Sequence, residues 1–112
     1  MSLKLGGYLF TGPFPIDGTE VRANQGPALY AIIGKGCPAW APNFRVIDIG
    51  DSPEHGILFV EHPNRARWSA KSGESLAVYL FYARRSEYSA PDRERMVEEL
   101  RRQYDPPNGC IQ

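Results

Sequence analysis

The sequence predicts an α+β domain in which a small, three-stranded and mostly antiparallel sheet is flanked by helices. Two runs, Ala28–Ile33 and Phe44–Gly50, are rich in β-branched and aromatic residues and are bounded by turn residues, as strands are. A third run, Ser75–Ala83, is apolar on both faces, which is typical of a central, covered strand. The segment Pro91–Gln103 repeats apolar residues at helical spacing and predicts a helix packed on this sheet.

The N-terminal segment predicts an arm or an edge strand. Gly7–Phe10 is a short apolar run, and Pro13 and Pro15 are expected to end it, because proline cannot donate to a sheet ladder. Residues 16–25 are polar with one apolar insertion and predict a loop or a marginal strand. We therefore divide the chain of 112 residues into an arm at 1–25, a folded domain at 26–108 and a C-terminal tail at 109–112.

Helix signals follow the second strand. Ser52-Pro53-Glu54 combines a capping residue, a proline suited to the first helical position and an acid near the helix N-terminus. The apolar run Ile57–Val60 fits a buried strand as well, but a short helix ending before Pro63 is the preferred interpretation. Asn64 then predicts the start of one or two further helical turns.

The last helix has the strongest signals in the sequence. Ser89 caps it, and Asp92 follows three residues later in the pattern of a capping box. One apolar face is expected, made of Met96, Val97, Leu100 and Tyr104. On the outer face, two ion pairs four residues apart are expected: Arg95 with Glu99, and Glu98 with Arg102.

The charge balance limits the partners that the sequence predicts. Thirteen basic residues balance thirteen acidic residues, whereas domains that bind nucleic acid usually carry a basic excess. A nucleic-acid surface would have to be a local patch, and the best candidates are His62, Arg65, Arg67 and Lys71. The alternative is an ordinary solvated face; a protein partner also stays open.

No apolar run is long enough to span a membrane, and the N-terminus lacks the apolar stretch of a signal peptide. A cytoplasmic protein with no membrane association is therefore expected. Cys37 and Cys110 do not have the spacing of a zinc site, and a disulfide between them is not favoured in the cytoplasm.

Four short motifs occur in a suggestive order. Ala-Leu-Tyr ends at Tyr30, Asp-Ile-Gly ends at Gly50, Asp51-Ser52 follows directly, and Tyr-Asp-Pro-Pro-Asn begins at Tyr104. This order resembles the GIY-YIG nuclease superfamily, and the match runs over residues 26–108. The resemblance implies a GIY-YIG-like fold, with Asp48 where the second motif of the family has a tyrosine.

The resemblance also implies catalytic roles. In the family, a tyrosine helps to activate water, and an arginine on the helix after the second motif contacts the scissile phosphate. The corresponding candidates here are Tyr30 and Asp48 on the strands and His55 or Arg65 for the phosphate, because residues 56–58 contain no basic side chain. Tyr30 could instead be a core residue, Asp48 could bond a loop backbone, and the histidines could be surface residues.

A glutamate on the final helix of the family holds a divalent metal ion. Aligning the closing motif places Val97 at that position, so Glu94 and Glu98 are the candidate ligands for one Mg²⁺ or Mn²⁺. The structural alternative for both glutamates is a solvated ion pair with a nearby arginine.

Three hypotheses for the function follow from this resemblance and from the family residues that are not at their expected positions. The preferred hypothesis is a divergent, catalytically degenerate member that binds nucleic acid or another ligand, because the arginine and the metal-binding glutamate are not at their expected positions. The second is an active metal-dependent endonuclease acting on phosphodiester bonds. The third is a small α+β protein-interaction domain with no inherited site.

Overall fold

The computed structural model describes residues 2–22, 27–34, 44–52, 56–59, 62–72, 76–83, 87–104 and 109–111. Within these residues the chain forms eight strands and two helices. The strands are β1 (Ser2–Leu5), β2 (Tyr8–Pro15), β3 (Glu20–Arg22), β4 (Ala28–Gly34), β5 (Phe44–Asp51), β6 (Gly56–Leu58), β7 (Leu76–Tyr82) and β8 (Gly109–Ile111). The helices are α1 (Arg65–Ser72) and α2 (Ala90–Tyr104).

A six-stranded antiparallel sheet dominates the molecule, with the strand order β1-β2-β7-β4-β5-β8. Strands β3 and β6 form a separate two-stranded sheet. The predicted three-stranded sheet flanked by helices is therefore wrong. The predicted strands are present as the neighbours β7, β4 and β5, but the β1–β2 hairpin extends the sheet beyond β7, and β8 extends it beyond β5.

Strand β4 lies between β7 and β5, and all seven of its residues are buried. Both faces of the sheet are covered here, which explains why its sequence is apolar without alternation. On one face, β4 packs against α2 through a cluster that includes Leu29, Val97 and Leu100. On the other face, a second cluster includes Tyr30, Phe59 of the 3₁₀ turn after β6, and Trp68 of α1.

Three local predictions need correction. The preferred helix after the second strand is wrong where the structure describes it, because residues 56–58 form β6 and pair with β3. Strand β2 continues through Pro13 to Pro15; its register against β7 shifts between Thr11 and Phe14, and such an irregularity accommodates proline. Residues 109–111, expected to be a tail, form β8 and pair with residues 44–46 of β5.

The helix predicted after Asn64 is confirmed as α1, and the helix capped by Ser89 is confirmed as α2. The Ser89 hydroxyl accepts the N–H of Asp92, and the Asp92 carboxylate accepts the N–H of Ser89, so the capping box is formed. These bonds hold the pKa of Asp92 below its usual range. Among the described residues, neither helix is long and apolar enough to cross a membrane.

Candidate functional site

Tyr30, on β4, forms a hydrogen bond with His62, and the position of the proton in this bond decides which side chain is the donor. The Tyr30 hydroxyl lies 3.1 Å from Nε2 of His62. The other ring nitrogen, Nδ1, accepts the backbone N–H of Asn64 at 3.0 Å. A neutral imidazole carries one proton, so that proton must be on Nε2, and His62 donates to Tyr30. The proton of Tyr30 itself then has no acceptor among the described residues.

Burial keeps this histidine neutral and this tyrosine protonated. Burial lowers the pKa of His62 below its ordinary value, although the charge of Asp48 acts in the opposite direction. Burial, reinforced by the charge of Asp48, raises the pKa of Tyr30 to about 12. Only 5% of Tyr30 is exposed. At neutral pH the Tyr30 hydroxyl is therefore a hydrogen-bond donor and not a base.

Gly50 makes room for the ring of Tyr30. The two residues are directly opposite each other on β4 and β5, and a Cβ at position 50 would overlap the Tyr30 hydroxyl and ring. The glycine of the Asp-Ile-Gly motif thus has a packing role in this structure. It lets the tyrosine side chain extend over the backbone of β5 toward the edge of the sheet.

Asp48 is bound on both carboxylate oxygens. Its Oδ2 accepts the indole N–H of Trp68 at 2.9 Å, and its Oδ1 accepts the backbone N–H of Ile49 at 2.9 Å. The guanidinium of Arg101 adds a longer contact of 3.4 Å to Oδ1. Trp68 also stacks on the ring of His62, with centroids 4.4 Å apart. Asp48 therefore positions Trp68 against the Tyr30–His62 pair.

A shallow cleft of about 380 Å³ lies where Tyr30 reaches the edge of β5. We call it the edge cleft; its lining residues are Tyr30, Gly50, Asp51, Glu94, Val97, Glu98 and Arg101. Helix α2 supplies four of these residues, because positions 94, 97, 98 and 101 follow one another along the same side of the helix. The cleft brings three carboxylates together with one guanidinium.

Asp51 is anchored to a buried arginine. Nε of Arg93, on α2, donates to Oδ2 of Asp51 at 3.2 Å, and Arg93 also donates to the carbonyl of Tyr88. The other oxygen, Oδ1, is buried and has no hydrogen-bond partner among the described residues. Burial raises the pKa of Asp51 in spite of the bond and the charge of Arg93, and the nearby charge of Glu94 acts in the same direction as burial.

Glu94 and Glu98 are exposed at the mouth of the cleft. Among the described residues neither glutamate has an ion-pair partner, so the alternative of a solvated ion pair is not seen. The expected pair of Arg95 with Glu99 is replaced by a contact of Arg95 with Asp92 at 3.7 Å. Two carboxylates one helical turn apart, without ion-pair partners in the described part of the chain, therefore face the space beside Tyr30.

The structure brings together only some of the residues predicted from the sequence. Tyr30, Glu94 and Glu98 line one cleft, and Asp48 contacts its Arg101. Arg65 instead donates to Asp17 at 3.2 Å and does not line the cleft. His55 lies outside the described residues, as does Cys37.

The structure describes the four basic-patch candidates only in part. The ring of His62 is neutral and bound on both nitrogens. Arg65 is held by Asp17, and Arg67 is exposed. The backbone of Lys71 belongs to α1, but its side chain is outside the description.

Within the described part of the chain, no group of three or more His, Cys, Asp or Glu side chains is placed to hold a metal ion. Mg²⁺ is commonly held by one or two carboxylates, with water and substrate supplying the other ligands. Glu94 and Glu98 therefore provide a minimal ligand pair and not a complete protein site.

Sequence reasoning missed Arg93, Asp51 and Arg101 as site residues. A signal for Arg93 exists, because it precedes Met96 and Val97 by three and four residues and so continues the apolar face of α2. No pattern in the sequence indicates Asp51 or Arg101, since their roles depend on which part of β5 has no described strand beside it.

No protein-family model, curated protein or solved structure matches this chain. The resemblance to the GIY-YIG superfamily therefore stays a prediction.

Proposed function

We propose that this chain is a binding module without hydrolytic activity, and that its ligand occupies the edge cleft. One observation carries the proposal: His62 donates to Tyr30, so the Tyr30 proton has no acceptor among the described residues and is available to a ligand in the cleft. A general base works best with a pKa near the operating pH. The pKa of about 12 favours a binding role for Tyr30 over a catalytic one.

The other polar groups support the same proposal. Both oxygens of Asp48 accept hydrogen bonds, which suits a positioning residue better than a base. Arg101 donates to the Ile49 carbonyl at 2.8 Å, and Arg93 is held by Asp51, so both cations already have partners within the protein. The cleft presents donors and acceptors in fixed positions, which is what selective binding needs.

The charge of the cleft favours a ligand that is not a nucleic acid. Asp51 is paired with Arg93. The remaining lining charges are therefore the carboxylates of Glu94 and Glu98 against the guanidinium of Arg101, a balance that disfavours phosphate. The basic patch also loses support as a phosphate surface, because His62 is neutral and Arg65 is bound to Asp17. A cytoplasmic location, expected from the sequence, belongs to this proposal.

A metal-dependent endonuclease is the second candidate, and a specific observation favours it. Tyr30, Glu94 and Glu98, which the family resemblance selects, line the same cleft. In this alternative the two glutamates would hold Mg²⁺ or Mn²⁺, and the metal would supply charge stabilisation at a phosphate.

A cleavage assay separates the two candidates. The purified chain is incubated with Mg²⁺ or Mn²⁺ and with labelled single- and double-stranded DNA and RNA. We expect no cleavage above the buffer background. Metal-dependent cleavage that is lost in both Tyr30→Phe and the double variant Glu94→Gln/Glu98→Gln, with circular dichroism unchanged, would contradict the proposal and establish the endonuclease.

Binding at the cleft is tested by NMR. The backbone amide of Gly50 reports on the β5 side and that of Glu98 on the α2 side. We expect both amides to shift on titration with a ligand, while the amide of Glu87, which lies outside the cleft, stays unchanged. The probes are single-stranded DNA and RNA and the peptides described below, and a failure of all of them to shift Gly50 and Glu98 would contradict the proposal.

A further inference from the structure

In the part of the chain that the structure describes, the outer side of β5 is unpaired beside the edge cleft. Strand β8 pairs only with residues 44–46 of β5. Among the described residues, no strand pairs with the outer side of residues 47–51. An open strand edge presents backbone donors and acceptors that can pair with another chain.

Side chains occupy this edge in place of a strand. The N–H of Ile49 donates to Asp48 Oδ1 at 2.9 Å, and the carbonyl of Ile49 accepts from Nε of Arg101 at 2.8 Å. The Arg101 side chain is 52% exposed, so it can leave without opening the core. The two bonds reproduce what a neighbouring strand would supply, namely one acceptor and one donor.

The walls beside this edge select for positive charge. Glu94 and Glu98 have no ion-pair partner among the described residues, and both face the cleft from α2. On the other side, the buried hydroxyl of Tyr30 offers a proton that needs an acceptor. A peptide carbonyl supplies such an acceptor, and a lysine or arginine side chain complements the glutamates.

We infer that the edge cleft binds an extended peptide with basic side chains, which adds to the sheet as a strand beside β5. This inference rests on the proposed function and names its ligand class. A peptide carbonyl replaces Asp48 as the acceptor for Ile49 N–H, and a peptide N–H replaces Arg101 as the donor to the Ile49 carbonyl. A further peptide carbonyl accepts the Tyr30 proton, and the basic side chains lie against Glu94 and Glu98.

The test uses fluorescence anisotropy with three probes. The first is a labelled peptide of about ten residues that alternates lysine and threonine, long enough to cover the open edge at about 3.3 Å per residue. The second alternates glutamate and threonine. The third is the lysine peptide with alternate backbone nitrogens methylated, which keeps the charge and removes the donors. We expect binding of the first peptide alone.

Variants assign this binding to the cleft. Glu94→Gln/Glu98→Gln should weaken binding of the lysine peptide about tenfold, because two complementary charges are lost. Glu99→Gln, on the same helix but outside the cleft, is the matched control and should have no effect. Tyr30→Phe should weaken binding about fivefold through the loss of one donor.

Substitution of Arg101 should change the affinity for the peptide in the opposite direction. Arg101→Ala removes the side chain that occupies the edge, and it should tighten binding of the lysine peptide about fivefold. Arg102→Ala removes the same charge from an exposed position outside the cleft and is the matched control. An equal effect of the two variants would overturn the strand-addition geometry.

Other outcomes would also overturn the inference. These are equal binding of the lysine and glutamate peptides, binding of the methylated peptide as tight as the unmethylated one, or no binding of the lysine peptide. If the peptide fails but DNA or RNA shifts the Gly50 amide in a Tyr30-dependent way, the ligand class is wrong while the binding function stands. Metal-dependent cleavage would instead contradict the proposed function itself.

Discussion

The two faces of the six-stranded sheet are stabilised in different ways. On one face, the 15-residue helix α2 buries Met96, Val97 and Leu100 in an apolar cluster. On the other face, the eight-residue helix α1 has four residues with described side chains, and only Trp68 is buried. Trp68 is held there by a network in which its indole N–H donates to Asp48 and its ring packs on that of His62.

This difference explains where the candidate site lies. The buried face of α2 is mostly apolar, and its buried Arg93 is paired with Asp51, because each buried polar group needs a partner. The α1 face contains such partners, and the network positions Tyr30 so that its hydroxyl reaches the edge of β5. The site forms where this network meets the charged side of α2, which supplies Glu94, Glu98 and Arg101 to the edge cleft.

The largest effect is expected on the α2 face. Leu100→Ala should lower the free energy of unfolding by about 2–5 kcal/mol, because Leu100 is 1% exposed and its removal leaves a cavity. Glu99→Ala, an exposed neighbour, should cost less than about 1 kcal/mol. Urea denaturation of both variants provides the measurement. Similar midpoint shifts for the two would mean that α2 does not bury this face.

A smaller effect is expected on the α1 face. Trp68→Phe keeps an aromatic ring but removes the indole N–H, leaving Asp48 Oδ2 without its donor, and should cost about 1–3 kcal/mol. A double-mutant cycle with Asp48→Ala isolates the bond. The two substitutions should be non-additive in urea melts. Simple additivity would show that the bond between Trp68 and Asp48 does not contribute to the stability of this face.

The smallest effect is a pH dependence of the protein's stability that arises from His62 on the α1 face. Burial lowers the pKa of His62, so the unfolded chain binds this proton at a higher pH than the folded chain. Between the ordinary histidine pKa of about 6.5 and the lower folded value, stability should therefore fall as the pH falls. His62→Gln should flatten this part of the stability profile. An unchanged slope in thermal melts across the same pH range would contradict the assignment.

The sequence predicted those strands and helices that are long enough to show a pattern of apolar residues within their own length. Strands β4, β5 and β7 begin and end within one residue of the predicted runs, and so does α2. Each has enough residues for an apolar pattern to appear. Strands β3, β6 and β8 have three residues each, and their pairing depends on partners distant in sequence. The same run of apolar residues at 57–60 fits a helix or a strand, and only the pairing with β3 decides.

The site was predictable only in part, for a related reason. The motif resemblance selected Tyr30, Glu94 and Glu98, and these do line one cleft. It could not indicate that His62 acts as the donor to Tyr30, because this depends on the turn that brings Asn64 N–H to the other ring nitrogen. Nor could it indicate Arg101. This side chain donates to the Ile49 carbonyl, and the described pairing of β8 with β5 ends before Ile49, at Val46.

The tautomer of His62 is the most direct test of this account. Long-range ¹H–¹⁵N NMR correlations distinguish a protonated from an unprotonated ring nitrogen, and they are recorded well above the ordinary pKa of histidine. We predict a proton on Nε2 and none on Nδ1, which leaves the Tyr30 proton available to a ligand in the edge cleft. A proton on Nδ1 would mean that Tyr30 donates to His62, and the cleft would then lack the donor on which the proposed binding function depends.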